Sequence, residues 1–498
     1  MNVNPITRLD YPDPDVIRVE DTYYMISTTM HFMPGCEILQ SFDLVHWEHV
    51  TYVYETLDHT DAQQLKSGQN IYGQGMWAAS LRYHEGRFYI CFVANDTRKT
   101  YLYTSKKIDG PWKKQLIEGF YHDGSLLFDE DGRNYIVYGN DEIWITELNE
   151  DLTAPKKDGL HRLLVSDHKN PELGYEGSHI QKINGYYYIF LVHSLRDRWM
   201  RTEACFYSDS LEGEFTGGDV LCDDRGYCGQ GVAQGGIVDT PDGKWYAMLF
   251  QDSGAVGRIP ILLPVTWKDH FPVFGQNGHV SEEIEVHSTR PGYIYQPLVG
   301  SDDFCNGLLP RWQFNHDPDP RYYHLDALQG TYTITTREVC TELTQAVNTL
   351  TQRMSYPSCA AEVTVDASAL KEGDVAGLCA LQSCYAAVGI TKHHGKYEVL
   401  MLDKKEDGIL DMTGRTVVES HQMDFRLEAD FCNMKDEARC YYRVNKGDWL
   451  PIGTVHKLYF KLDHFTGCRF GLFCYAAEET GGSACFRDFK YYDVDEIS

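Results

Sequence analysis

A short phrase recurs five times in the first half of the chain, and it restricts the fold more than any other feature. Each copy is a turn built from Asp, Glu or Asn, usually with Gly, followed by an aromatic strand. The copies are Glu20-Asp21-Thr22-Tyr23-Tyr24, Glu85-Gly86-Arg87-Phe88-Tyr89, Asp131-Gly132-Arg133-Asn134-Tyr135, Asn184-Gly185-Tyr186-Tyr187-Tyr188 and Asp242-Gly243-Lys244-Trp245-Tyr246. Counted between the last tyrosines, the intervals are 65, 46, 53 and 58 residues. Asp-Gly and Asn-Gly between alternating apolar runs are hairpin signals. A second phrase follows several copies: Gln40–Trp47, Thr104–Trp112 and Tyr207–Phe215. Each reads as the outer part of the same unit. All-strand units of about 50 residues are the mark of propeller blades. Five of them predict a five-bladed β-propeller over residues 1–298.

The innermost strand of each blade lines the channel of a propeller. Twelve residues before the tyrosine stand Trp77, Asp123, Glu176 and Gln234, and eleven before Tyr24 stands Asp13. These positions are expected to converge on one ring. Three carboxylates facing one cavity repel each other, so at least one should hold a proton near neutral pH. Glycoside hydrolysis needs that combination, a protonated acid beside an ionised base. Asp15 is a rival for Asp13, because it lies two residues on along the same strand. Asp10 and Asp129 fall outside the equivalent slots and read as turn residues.

The rest of the composition narrows the partners. A formal net charge of −28 would be repelled by phosphate backbones and anionic membranes. No nucleic acid and no membrane is therefore expected, and no run is apolar enough to span a bilayer. The first residues, MNVNPITRLDYPDPDV, lack the basic and apolar regions of a signal peptide. The 15 cysteines form no CxxC pair and read as reduced thiols of a cytoplasmic protein. From about Ser301 the tyrosine phrase stops. Alternating runs such as Ala361–Asp366, Tyr397–Leu402 and Arg426–Phe431 predict an antiparallel β-sandwich over residues 299–498. Few flexible residues occupy Pro291–Pro297, so the two parts are expected to form one rigid body.

These motifs together resemble glycoside hydrolase family 43, the β-xylosidases and α-L-arabinofuranosidases. The resemblance rests on Tyr11-Pro12-Asp13-Pro14-Asp15-Val16, Met76-Trp77-Ala78, Asp123-Gly124-Ser125-Leu126, Glu176-Gly177-Ser178-His179, Val238–Tyr246 and Gly257-Arg258. It implies an exo-acting, inverting hydrolase releasing xylose from short xylo-oligosaccharides, with α-L-arabinofuranosidase activity as the alternative. A sugar-binding propeller without catalysis is the remote one. The resemblance assigns Asp13 as general base, Glu176 as general acid and Asp123 as modulator of the acid. Arg258 would hold the sugar and Trp77 would pack on it, with Phe32, His179 and Gln234 completing the binding set. It also implies a lectin-like sandwich with a loop over the active-site mouth, without saying which loop. The sequence departs from the family pattern at Gly124 and Ser178, where proline is frequent, and at Gln234, where many members carry a histidine near a channel metal. No cofactor is expected and a channel calcium is in doubt. The oligomeric state stays open, self-association included.

Overall fold

The computed structural model describes residues 2–493. The fold is all-β: among the described residues, helix is confined to four single 3-10 turns. Five sheets of four antiparallel strands follow one another in chain order. Their innermost strands are Asp15–Val19, Met76–His84, Ser125–Phe128, Glu176–Ile183 and Val232–Asp239. The tyrosine phrase forms the first hairpin of every blade, as its turn chemistry predicts. Two kinds of turn occur. Glu85-Gly86 and Asn184-Gly185 are two-residue turns with both φ angles positive, the geometry that suits the twist of paired strands. Blades three and five instead use five-residue turns, between Phe128 and Asn134 and between Asp239 and Trp245.

No blade has a core of its own. One apolar cluster lies between each pair of neighbours: Ile38, Leu81 and Phe92 between blades one and two, Leu102, Leu126 and Ile136 between two and three, Val137, Ile180 and Ile189 between three and four, Phe190, Val232 and Ile261 between four and five, and Val16, Met25 and Leu262 between five and one. Each blade is therefore buried only when both neighbours are present. The ring is closed by the N-terminal segment, which lies along the third strand of blade five. Asn2–Val3 pairs with Glu283–Ile284. The Asn4 side chain donates to Leu262 O at 2.8 Å and accepts from Leu262 N at 3.0 Å. Tyr11 N donates to Arg258 O at 3.0 Å.

The C-terminal part is a sandwich of a seven-stranded and an eight-stranded antiparallel sheet. The last strand of the larger sheet comes from the propeller. Phe32–Met33, inserted within blade one, pairs with Phe314–Asn315. The two domains, expected at residues 1–298 and 299–498, thus share a sheet across their boundary. Phe32 was expected at the sugar site. It is buried in this seam instead, under the Arg469 guanidinium at 3.5 Å. The connecting segment lies along blade one, with Tyr293 against Phe42 and Gln296 N donating to Glu48.

Buried charges fasten the seam. Asp10, read from sequence as a turn residue, accepts from Arg258 N at 2.7 Å with one oxygen and from Gly467 N at 2.8 Å with the other. Its own carbonyl accepts from Arg353 Nε at 2.9 Å. Arg353 of the sandwich also pairs with Glu37 of blade one at 2.9 Å and lies over the Tyr11 ring. Burial would raise the Glu37 carboxyl, but Arg353 and His49 outweigh it and hold it at about 2.

Asp10→Ala would leave two buried N–H groups without acceptors, at a cost of about 3 kcal/mol. We expect a lowered thermal midpoint and a lowered kcat/KM together, because both donors lie beside the active-site wall. Unchanged thermal unfolding would show that the seam does not depend on Asp10.

Candidate active site

The strand register corrects the alignment of the inner strands. Tyr24, Tyr89, Tyr135, Tyr188 and Tyr246 pair with Ile17, Arg82, Leu127, Gln181 and Val238. The longer turns of blades three and five add one residue between tyrosine and partner. Counting back from the partner therefore gives two adjacent slots. The first holds Pro12, Trp77, His122, Glu176 and Ala233. The second holds Asp13, Ala78, Asp123, Gly177 and Gln234. Counting from the tyrosine alone merges the two slots and passes over His122. In the second slot Asp13, Asp123, Gly177 and Gln234 all have positive φ, between 48° and 66°. In blades two, four and five the register slips by one residue at this level, as a β-bulge does. Bulges re-aim side chains, here into the channel mouth.

A cavity of about 230 Å³ opens at that level. Asp13, Trp77, Asp123, Glu176, Gln234 and Arg258 line it, together with His122, Arg201, Leu462 and Phe465. Six of the eight expected site residues are thus brought together. Phe32 and His179 are not. His179 lies deeper, its Nδ1 bonded to Asp15 Oδ1 at 3.1 Å. A larger cavity of about 410 Å³ lies at the opposite mouth, but its walls are strand interiors such as Val16, Leu126, Ile180 and Ile237, and it holds none of the three carboxylates.

The carboxylates have different surroundings. Asp13 pairs with the buried Arg258 at 3.1 Å and accepts from Thr28 Oγ1 at 2.6 Å. Glu176 Oε2 accepts from Asn140 Nδ2 at 2.7 Å and meets His122 Nε2 at 3.5 Å. Asp123 accepts from Gly177 N at 2.9 Å. Burial raises its carboxyl to about 6; the His122 charge opposes this, and the charges of Glu176 and Asp13 add to it. His122 is in turn pushed up to about 9, chiefly by Asp123, against its own desolvation and with help from Glu176 and Asp13. Arg201 is buried, bonded through Nε to Asp252 at 2.8 Å, with its guanidinium 5.2 Å from the Trp199 and from the Phe250 ring. Sequence reasoning missed His122, Arg201 and Asn140. A register count could have found His122. Asn140 ends the second strand of blade three and Arg201 begins the third strand of blade four, both outside the repeat phrases.

Asp15 does not compete with Asp13. Leu81 N, Arg82 Nη1 and His179 Nδ1 saturate it. Burial would raise its carboxyl, but Arg82 and His179 outweigh it and hold it below the usual range. Asp129 is likewise more than a turn residue, since it binds Lys182 and Tyr187 of the next blade. The residues present do not fit a channel calcium. Beneath the site the Arg82 guanidinium crosses the channel and bonds Asp15 of blade one, Ser125 Oγ of blade three and Ile180 O of blade four. A cation is thus already built into the chain there, and the ligand-type groups Asp15 and His179 are consumed by it and by each other. His122, Asp123 and Glu176 offer atoms within 4.8 Å of one another, but an imidazole N–H between two carboxylates already joins them.

The sandwich supplies the lid. The segment between strands Leu450–Lys457 and Arg469–Tyr475 places Leu462 and Phe465 in the cavity wall. Phe465 packs on Trp77 at 5.4 Å and lies under the Arg258 guanidinium at 4.4 Å. His464 stacks on Tyr72 at 3.8 Å. The lid backbone passes so close to Gly73 that a Cβ there would stand 2.7 Å from Asp463 O.

Comparison with known proteins agrees with this architecture. The model of Glycosyl hydrolases family 43 matches residues 3–272, and that of the beta xylosidase C-terminal concanavalin A-like domain matches residues 301–492. A bifunctional GH43-CE structure from Bacteroides eggerthii is 42% identical over all of this chain, with a TM-score of 0.93; the chain spans 64% of that protein's length. An engineered GH43 glycoside hydrolase described as displaying both endo-xylanase and exo-arabinofuranosidase activity is 27% identical, with 99% of each chain covered and a TM-score of 0.87. A beta-xylosidase of Formosa agariphila is 27% identical, over 99% of this chain and 89% of its own.

Gly177 has φ +65°, and a Cβ there would meet the Gln234 side chain at 2.7 Å. Gly177→Ala should cost about 2 kcal/mol in strain and, by moving Glu176, lower kcat on the order of 10²-fold. Denaturant unfolding and steady-state kinetics read the two effects separately. The Asp123 carboxyl lies above its ordinary 3.8 in the folded state. The stability it contributes is therefore present below pH 4 and lost as pH rises through 6. Asp123→Asn cannot ionise, so its stability relative to wild type should rise between pH 4 and pH 7. A difference that stays constant across that range would contradict the raised value.

Proposed function

The chain belongs to glycoside hydrolase family 43, and from that premise we propose an exo-acting, inverting β-xylosidase that releases xylose from the non-reducing end of short β-1,4-xylo-oligosaccharides. One observation carries the reading: Asp13 and Glu176 project from different blades into one small cavity that the sandwich closes on the outer side. At about 230 Å³ it is smaller than the ~300–1,000 Å³ of drug-sized sites, and so suited to a single sugar ring.

The chemistry follows from the two environments. Glu176 gives its proton to the glycosidic oxygen, which leaves with the electron pair of the C1–O bond. Asp13, oriented by Arg258 and Thr28, takes a proton from the water that attacks C1 from the opposite face. Inversion requires the two carboxyl groups to stand about 6.5–9.5 Å apart, with the attacking water between Asp13 and C1. Asp123 stays out of the bond changes. It holds the backbone beside Glu176 by accepting from Gly177 N at 2.9 Å. Arg258 and Arg201 face the sugar hydroxyls, and Trp77 and Phe465 its apolar face. No metal enters any step.

An α-L-arabinofuranosidase activity, alone or beside the first, is favoured by the description of the 27% identical engineered relative. We further propose a reducing, cytoplasmic setting, consistent with 15 cysteines that are all free. The expected partner is a small oligosaccharide. Nothing polyanionic suits a chain of net charge −28.

Wild type should hydrolyse 4-nitrophenyl β-D-xylopyranoside, with no loss of rate in EDTA, and the ratio to 4-nitrophenyl α-L-arabinofuranoside names the preferred sugar. NMR of the first product should show the inverted anomer. Glu176→Ala should lower kcat/KM by about 10²–10⁴-fold. A retained anomer, or a Glu176→Ala variant as active as wild type, would refute the assignment.

A further inference from the structure

We propose that His122 is the positioning residue of the acid: with Asn140 it holds Glu176 Oε2, confines the transferable proton to Oε1, and ties the acid to Asp123. This deepens the reading above and rests on it.

Four observations converge. First, the register places His122 in the same slot as Trp77 and Glu176, so its side chain faces the same cavity. Second, its Nε2 stands 3.5 Å from Glu176 Oε2 and 3.5 Å from Asp123 Oδ2. Contacts of this kind are commonly long in the absence of substrate and tighten in the complex. Third, Asn140 Nδ2 donates to the same Glu176 oxygen at 2.7 Å. Two N–H groups thus converge on Oε2, and a proton there would face them head on. The acidic proton must ride on Oε1. Fourth, Asp123 Oδ2 also accepts from Gly177 N at 2.9 Å. The result is a closed circuit from the Glu176 carboxyl through His122 and Asp123 to the backbone that carries Glu176. It fixes the acid at both ends.

The circuit has a use in the chemical step. As the Oε1–H bond breaks and the proton passes to the leaving oxygen, negative charge develops on the Glu176 carboxyl. Oε2 then already faces the Asn140 amide and the His122 ring N–H, so no group must move to stabilise it. His122 remains a donor through neutral pH because the carboxylates around it, Asp123, Glu176 and Asp13, hold it in the protonated form. Its side chain keeps about a fifth of its surface exposed.

The test compares xylosides whose leaving groups range from 2,4-dinitrophenol, which departs with little protonation, to methanol, which needs a full proton. His122→Phe keeps a ring of similar shape and removes the donor. Its kcat/KM should fall about 10²-fold on the poor leaving group and only a few-fold on the best one. The alkaline limb of its pH profile should shift. His122→Gln, which can still donate, should recover most of the loss. Equal losses on all leaving groups with an unchanged pH profile in both variants would overturn the proposal and leave His122 as sugar-subsite wall. Glu176→Ala separates the two levels of argument. If it shows no leaving-group dependence, the acid assignment itself falls. If it does and His122→Phe does not, only the present inference falls.

Discussion

The architecture depends on how the ring is closed. The first residues of the chain lie along the third strand of the last blade, and one peptide there performs two tasks. Tyr11 N bonds Arg258 O, while Arg258 N bonds Asp10. That pair of bonds fixes the register between the chain's start and blade five. Two residues later stands Asp13, within reach of the Arg258 side chain. Closure and the placing of the base are therefore one event. A slip of one residue would unpair both, because strand register decides which side chains face inward.

The sandwich completes the site and the seam together. Gly467 bonds the same Asp10 that anchors blade five, and two residues earlier Phe465 covers Arg258. The lid is therefore stiff at its base. Buried ion pairs such as Arg353–Glu37 contribute modest net stability and large penalties when broken. They resist relative sliding of the two domains, which keeps the cavity narrow.

Much of this could be read in the sequence, and the reasons for the misses are physical. The tyrosine phrase revealed five blades because hairpin turns have strict chemistry. It placed Asp13, Asp123 and Glu176 at one cavity because all sit near the start of an inner strand. It merged two slots into one because turn length is a three-dimensional quantity, and five-residue turns displace the count by one. His122 was lost in that displacement. Phe32 is apolar and aromatic, which suits a sugar face and a buried seam equally, and only the pairing with Phe314–Asn315 decides between them. Asp10 was read as a turn residue because its acceptors' partners lie about 250 and 460 positions away in the chain. Arg82 carries no motif, yet its guanidinium fills the channel that the family resemblance left open to calcium.

The strand Phe32–Met33 has a consequence for how the molecule is made. It belongs to the first blade but is hydrogen-bonded to a strand about 280 residues further along. During synthesis the propeller leaves the ribosome first. Its short edge then waits, unpaired, for a sheet that does not yet exist. When the later strands arrive, they meet a template already held in place by a finished ring. The sandwich is thereby assembled onto the propeller rather than beside it, and the slow, long-range pairing that β-proteins must accomplish begins from a fixed starting edge.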